Sequence, residues 1–158
     1  MLTDATVLIT GVTGSVGTLC TDHLLATEVG TLRMFDDDEA GLAAAKGRLD
    51  DDRCRFLAAD VRDATRLRYA MADVDIVIHA AAMNYVDVVE YNPVEAVKTS
   101  VLGTQHVIQT TIDAGVDRVP LTSSDKAIDP PTRRGRPSYS RRGLHAHSRD
   151  WVGRDDGC

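Results

Sequence analysis

Hydrophobic positions fall into two kinds of segment along this chain: short stretches dense in apolar and β-branched residues, and longer stretches where apolar side chains recur every three or four residues. Residues 5–10 (Ala-Thr-Val-Leu-Ile-Thr), 31–35, 54–59, 75–79 (Asp-Ile-Val-Ile-His) and 118–123 are of the first kind. Their length, their β-branched content and the Gly and Asp residues around them predict strands covered on both faces. Between the first two, Val16, Leu19, Cys20, His23, Leu24 and Thr27 have helical spacing, which predicts a helix to about Glu28 with these residues on its buried face. Residues 39–49 predict a second helix and residues 63–71 a short third. Val94, Val97, Val101, Thr104, Ile108 and Ile112 predict one long helical face. Strands alternating with helices imply right-handed parallel crossovers. The predicted fold is therefore α/β: a doubly wound parallel sheet of order 3-2-1-4-5, incomplete at its C-terminal side. In such a sheet, ligands sit at the carboxyl ends of strands 1 and 4.

The loops at those ends hold the candidate chemistry. Residues 7–17 read Val-Leu-Ile-Thr-Gly-Val-Thr-Gly-Ser-Val-Gly. This is a strand turning into a helix with glycines at 11, 14 and 17, the pattern of a Rossmann dinucleotide site. Gly11 permits the tight turn, Gly14 lets amides approach a pyrophosphate, and Gly17 lets helix and strand pack closely. Thr13, Ser15 and Val16 complete the predicted diphosphate cradle. Asp36, with Asp37 and Asp38 behind it, follows the second strand, where a carboxylate accepts ribose hydroxyls and repels a 2′-phosphate. NAD is expected over NADP. Only Asp36 is placed for the ribose, and its neighbours can cap the next helix. Asp60 and Val61 can meet the adenine edge, with a capping aspartate as the alternative. Ala80, Ala81 and Ala82 after the fourth strand leave room for a cofactor against the backbone, and His79 before them is given no chemical role. At the end of the fifth strand, Ser124, Asp125 and Lys126 place a hydroxyl, a carboxylate and an amine side by side, a set that can polarise an oxygen, donate a proton and remove one.

Composition narrows the classes. With 158 residues the chain is expected to form one domain. Residues 1–132 carry 11 basic and 21 acidic side chains, whereas residues 133–158 carry seven arginines against three aspartates. The acidic body argues against nucleic-acid binding. Cys20, Cys54 and Cys158 fit neither a disulfide framework nor a zinc site, so no metal is expected and a reducing cytoplasm is. No signal peptide or membrane span is expected.

The glycine loop, residues 60–63 (Asp-Val-Arg-Asp), residues 79–82, Asn92-Pro93-Val94-Glu95, residues 98–104 and the string Ser-Ser-Asp-Lys-Ala-Ile-Asp-Pro at 123–130 resemble the extended short-chain dehydrogenase/reductases. Within them they resemble the UDP-N-acetylglucosamine 4,6-dehydratases of polysaccharide biosynthesis. The resemblance implies a UDP-sugar substrate, with Ser124 polarising the sugar's 4-oxygen, Asp125 protonating the departing 6-hydroxyl and Lys126 taking the carbon-5 proton. It also implies association of like chains through the helices at 63–71 and 94–114. Two replacements depart from the pattern, Ser100 on the long helix and Asp129 in the string. After the proline the family continues with Tyr or Met and then Gly-Ala-Thr-Lys-Leu. Arg134 and Ser138 stand at the Tyr/Met and Lys places, and no Tyr-x-x-x-Lys occurs in the chain.

The segment from Arg134 to Gly143, Arg-Gly-Arg-Pro-Ser-Tyr-Ser-Arg-Arg-Gly, can be written in synonymous codons that, starting from the third base, encode Gly-Ala-Thr-Lys-Leu-Leu-Ala-Glu-Arg. Nine consecutive fits to the family's continuation point to a frameshift near residues 132–134. The sequence therefore divides into an NAD-binding domain, 1–132, and an arginine-rich, unperiodic tail, 133–158, expected to be disordered, with the substrate domain absent. The expected activity is weak or nil. Rival readings are an epimerase or reductase of the same superfamily, which has no use for adjacent Asp125 and Lys126, a non-catalytic NAD-binding module, and an unstable pseudogene product.

Overall fold

The computed structural model describes residues 2–122. Four parallel strands, β1 (Thr6–Thr10), β2 (Thr31–Asp36), β3 (Cys54–Ala58) and β4 (Ile76–His79), lie in the order β3-β2-β1-β4. This is the predicted order over the first four strands. β1 sits in the middle, with Val7, Leu8 and Ile9 fully buried. Its alternating side chains feed two cores. Val7 and Ile9 join Val12, Val29, Leu32, Met34 and Leu42 on one face, beneath α1 (Ser15–Leu25) and α2 (Glu39–Leu49). Leu8 joins Phe35, Leu67, Met71, Val77 and Val107 on the other, beneath α3 (Ala64–Ala70) and α6 (Thr104–Ala114). Each such side chain contributes about 1.5–3 kcal/mol by leaving water.

The predicted fifth strand is present only as parallel bridges from Arg118 to Ile76 and from Leu121 to His79. Its amides and carbonyls serve β4: Val77 N–H donates to Arg118 O, His79 N–H to Pro120 O, and Thr122 N–H to His79 O. The segment thus lies beside β4, where order 3-2-1-4-5 puts it, with too few bonds for a regular strand. Ser123 lies outside the described residues.

Two helices differ from expectation. α1 ends at Leu25, three residues early, and beyond its last turn the guanidinium of Arg53, itself paired with Asp51, donates to the carbonyls of Leu25, Thr27 and Val29. A cation at a helix carboxyl end is favoured by the aligned peptide dipoles. The face α1 turns to the sheet is that of Gly17 and Thr21, flanked by half-buried Cys20 and Leu24, whereas Val16 and Leu19 are exposed. An unpredicted short helix, α4 (Val86–Tyr91), precedes the long helix, which is divided into α5 (Pro93–Val97), a π-helical turn (Lys98–Gly103) and α6. Its predicted apolar face points outward: Val94, Val97, Val101 and Ile112 are more than half exposed, and the buried residues are Gly103, Val107, Thr110 and Thr111. No described helix is long and apolar enough to cross a membrane.

Candidate functional site

A cleft of about 480 Å³ opens at the carboxyl ends of β1, β2, β3 and β4, a size suited to a small-molecule ligand or cofactor. Its floor is the glycine loop. Gly11 has φ +72°, and a Cβ there would stand 2.5 Å from Ala81 N, so only glycine lets the loop lie against the backbone of Ala80 and Ala81. A Cβ on Gly17 would stand 2.2 Å from Gly11 O, so this glycine sets how closely α1 approaches the turn. Gly14 is the N-cap of α1 and supplies no side-chain bond, and the first turn carries no acidic residue. Gly14, Ser15, Val16 and Gly17 at the start of this 11-residue helix line the cleft with no acidic residue in their own turn, an arrangement that suits a diphosphate.

The structure brings together all the residues singled out for a cofactor. Gly11, Thr13, Gly14, Ser15, Val16 and Gly17 line one side. Asp36, Asp60 and Val61 line the β2 and β3 end, and Ala80, Ala81 and Ala82 the side beyond β4. Asp36 is nearly buried. Its Oδ2 accepts both the amide and the hydroxyl of Thr13, each at 2.9 Å, and Oδ1 accepts the Asp38 amide at 3.0 Å. Asp38 caps α2 through Gly41 N–H, as expected.

Sequence reasoning missed Asp37, Arg62, Glu95 and Thr99, which also line the cleft. Asp37 titrates above the usual carboxylate range, first because it is partly buried and then because Asp36 and Asp60 face it. Burial pushes Asp60 up as well, but hydrogen bonds from the Arg62 side chain (Nε to Oδ2, 2.7 Å) and amide outweigh it and leave its pKa lowered. Arg62 continues to Glu95 at 2.7 Å, and Glu95 to Lys98 at 2.7 Å, tying the loop after β3 to the helical segment across the cleft. The acidic run after β2 was legible, but which aspartate faces the cleft was not. Among the described residues, no cluster of His, Cys, Asp or Glu could hold a metal. Ser124, Asp125 and Lys126 lie outside the described residues.

The family described as polysaccharide biosynthesis protein matches residues 7–139. The chain belongs to this family. An uncharacterized membrane protein of Methanocaldococcus jannaschii is 42% identical over 127 residues, covering 80% of this chain and 38% of that protein. The UDP-N-acetylglucosamine 4,6-dehydratase (inverting) of Campylobacter jejuni is 40% identical over 131 residues, covering 82% and 39%. Among solved structures, the dTDP-glucose 4,6-dehydratase DesIV of Streptomyces venezuelae, with NAD bound, matches with a TM-score of 0.65 and 32% identity over 72% of this chain and 38% of that one. This member of the polysaccharide biosynthesis family thus has the Rossmann fold of the short-chain dehydrogenase/reductases, and its relatives include nucleotide-sugar dehydratases and 4-epimerases. It spans about two fifths of the length of these curated relatives.

Proposed function

We propose that this chain is the dinucleotide-binding part of a nucleotide-sugar 4,6-dehydratase of the UDP-N-acetylglucosamine type, with NAD as coenzyme. The observation that carries the reading is the cleft itself: an uncapped helix amino end and a side-chain-free glycine floor for a diphosphate, beside a carboxylate-lined end for a ribose. Asp36, Asp37 and Asp60 at that end favour a free 2′-hydroxyl over a 2′-phosphate, since like charges in a partly buried site repel.

Bound NAD would supply a hydride acceptor for carbon 4 of the sugar and a donor to carbon 6. The chain's own share is positional and acid–base. The amides of Ser15 and Val16 hold the diphosphate, and Val61 covers the adenine. By the motif at 123–130, Ser124 polarises the 4-oxygen, Asp125 protonates the departing 6-hydroxyl and Lys126 removes the carbon-5 proton. With Arg134 and Ser138 at the Tyr/Met and Lys places, the chain lacks the lysine that binds the ribose and, where a Tyr stands, lowers that Tyr's pKa for oxidation at carbon 4. Our reading is therefore that this polypeptide binds NAD and turns over weakly or not at all, with the sequence out of frame from near residues 132–134.

Calorimetry of the purified chain with NAD, then with UDP-N-acetylglucosamine, tests the first part: NAD uptake is expected, and no uptake of NAD or NADP would refute it. Formation of a 4-keto-6-deoxy sugar at an ordinary enzymatic rate would overturn the second part, while a 4-epimer as product would favour an epimerase. Resequencing the gene tests the third part, and codons that restore no family motif one base over would end it. A cytoplasmic location accords with free thiols at Cys20 and Cys54 and with a supply of NAD. Like chains are proposed to associate through the outward apolar face of α5 and α6.

A further inference from the structure

Behind the cleft, a series of hydrogen bonds, continued through Ser100 by its carbonyl and its hydroxyl, joins four elements. Thr10 Oγ1 lies 2.6 Å from Nδ1 of His79, and Nε2 of the same ring lies 2.9 Å from Thr104 Oγ1. Thr104 donates its hydroxyl to the Ser100 carbonyl at 2.8 Å, while its amide goes to Val101 O. Ser100 Oγ in turn accepts the amide of Met83 at 3.1 Å.

Counting hydrogens fixes the direction of each bond. Thr104 has one hydroxyl hydrogen and spends it on Ser100, so its oxygen accepts from His79, and Nε2 carries the ring proton. Nδ1 is then a bare lone pair and accepts the hydroxyl of Thr10. Thr10 is fully buried and His79 is 4% exposed, so neither finds water as a substitute. The neutral ring, with one donor and one acceptor on separate edges, satisfies both hydroxyls in this way.

Met83 lines the cleft, and Thr10, His79 and Ser100 each stand next in sequence to a residue that does. Thr10 directly precedes Gly11, and His79 directly precedes Ala80. Met83 lies in the loop that brings Ala80, Ala81, Met83 and Tyr85 to the wall, and Ser100 follows Thr99 in the π-helical turn, which lines it too. The hydroxyl of Thr104 occupies a carbonyl that a regular α-helix would give to the Thr104 amide, and the turn is widened there.

We propose that His79 is a positioning residue, which holds the glycine turn, the loop after β4 and the π-helical turn in register through Thr10, Thr104 and Ser100, and so sets the width of the coenzyme cleft. The effect on coenzyme rests on the dinucleotide reading given above, whereas the register itself is measurable without any ligand. Burial alone lowers the pKa of His79, and no charged group contributes, so the neutral ring this series requires is the form present at neutral pH.

The test uses the full chain and the pair Thr104→Val, which removes the hydroxyl at constant shape, and Thr104→Ser, which keeps it. Nitrogen-15 spectra of the unmodified chain are expected to show His79 protonated at Nε2 and bare at Nδ1. Amide exchange at Met83 should quicken about tenfold in Thr104→Val, roughly the equilibrium factor of one hydrogen bond, and stay near the original rate in Thr104→Ser. NAD affinity by calorimetry should fall and recover in parallel. Ser100→Ala should free the Met83 amide without changing the His79 tautomer. A ring protonated at Nδ1 overturns the proposal whether or not any variant folds. So does a Thr104→Val chain that melts earlier but keeps Met83 exchange and NAD affinity unchanged, because His79 would then be packing alone. If the unmodified chain takes up no NAD, the dinucleotide reading fails by itself, and the exchange and tautomer results still decide the positioning role.

Discussion

Asp36 and Asp37 are adjacent in sequence and have different work to do. Asp36 spends three acceptor positions on Thr13 and Asp38 and so fastens the glycine loop to the end of β2. Asp37 is the neighbour that lines the cleft and feels the charges of Asp36 and Asp60. Replacing Asp37 by Ser is expected to raise the affinity for NADP relative to NAD about tenfold, on the scale of one partly screened charge. Asp36→Asn should weaken both coenzymes alike, because it loosens the loop. Paired titrations with NAD and NADP check both, and a selectivity that follows Asp36 would place the ribose there. His79 gives a pH prediction. Its folded pKa lies below the ordinary 6.5 because of burial, so the unfolded chain takes up the proton first. The contribution of the neutral ring to stability is full above about pH 6.5 and is lost as pH falls from there toward the folded value. Denaturation series between pH 5 and 8 should show stability falling on the acid side, and the slope should flatten in His79→Phe.

At the scale of elements, the turn from β1 into α1 has the least tolerance. Gly17→Ala would set a methyl against main-chain atoms of Gly11 and Val12 that cannot swing away. A loss of about 2–3 kcal/mol is expected in urea denaturation. The motif at residues 7–17 already dictated this, because close helix–strand packing is what its last glycine allows. The helical segment after β4 was less legible. Its periodicity located a helix, but the stripe of Val94, Val97, Val101 and Ile112 faces outward, while Val107 and two threonines meet the sheet. Periodicity reports that one side is apolar, and a stripe covered by a second chain reads the same as one covered by the chain's own sheet. Sedimentation of the chain is expected to show a dimer, and a Val97→Asp, Ile112→Asp double variant a monomer. A monomer from the unaltered chain would show that this face has no partner copy.

For the whole molecule, the order β3-β2-β1-β4 and the position of the cleft followed from alternating strands and helices, because right-handed crossovers leave few alternatives. The weakness of the fifth strand was overlooked although it had a signal: the run at 118–123, Arg-Val-Pro-Leu-Thr-Ser, is less apolar than its neighbours and Pro120 has no amide to donate, and the pairing with β4 shows how few bonds remain. The sequence by itself determined the parallel sheet, the glycine floor and the membership in the polysaccharide biosynthesis family, because each is written in local spacing or in contiguous motifs. Tertiary structure alone decided that Asp36 is occupied by Thr13, that Arg62 and Glu95 meet across 33 positions, and that His79 bridges Thr10 and Thr104. Those contacts join residues far apart in the chain, and only folding brings their donors and acceptors within reach.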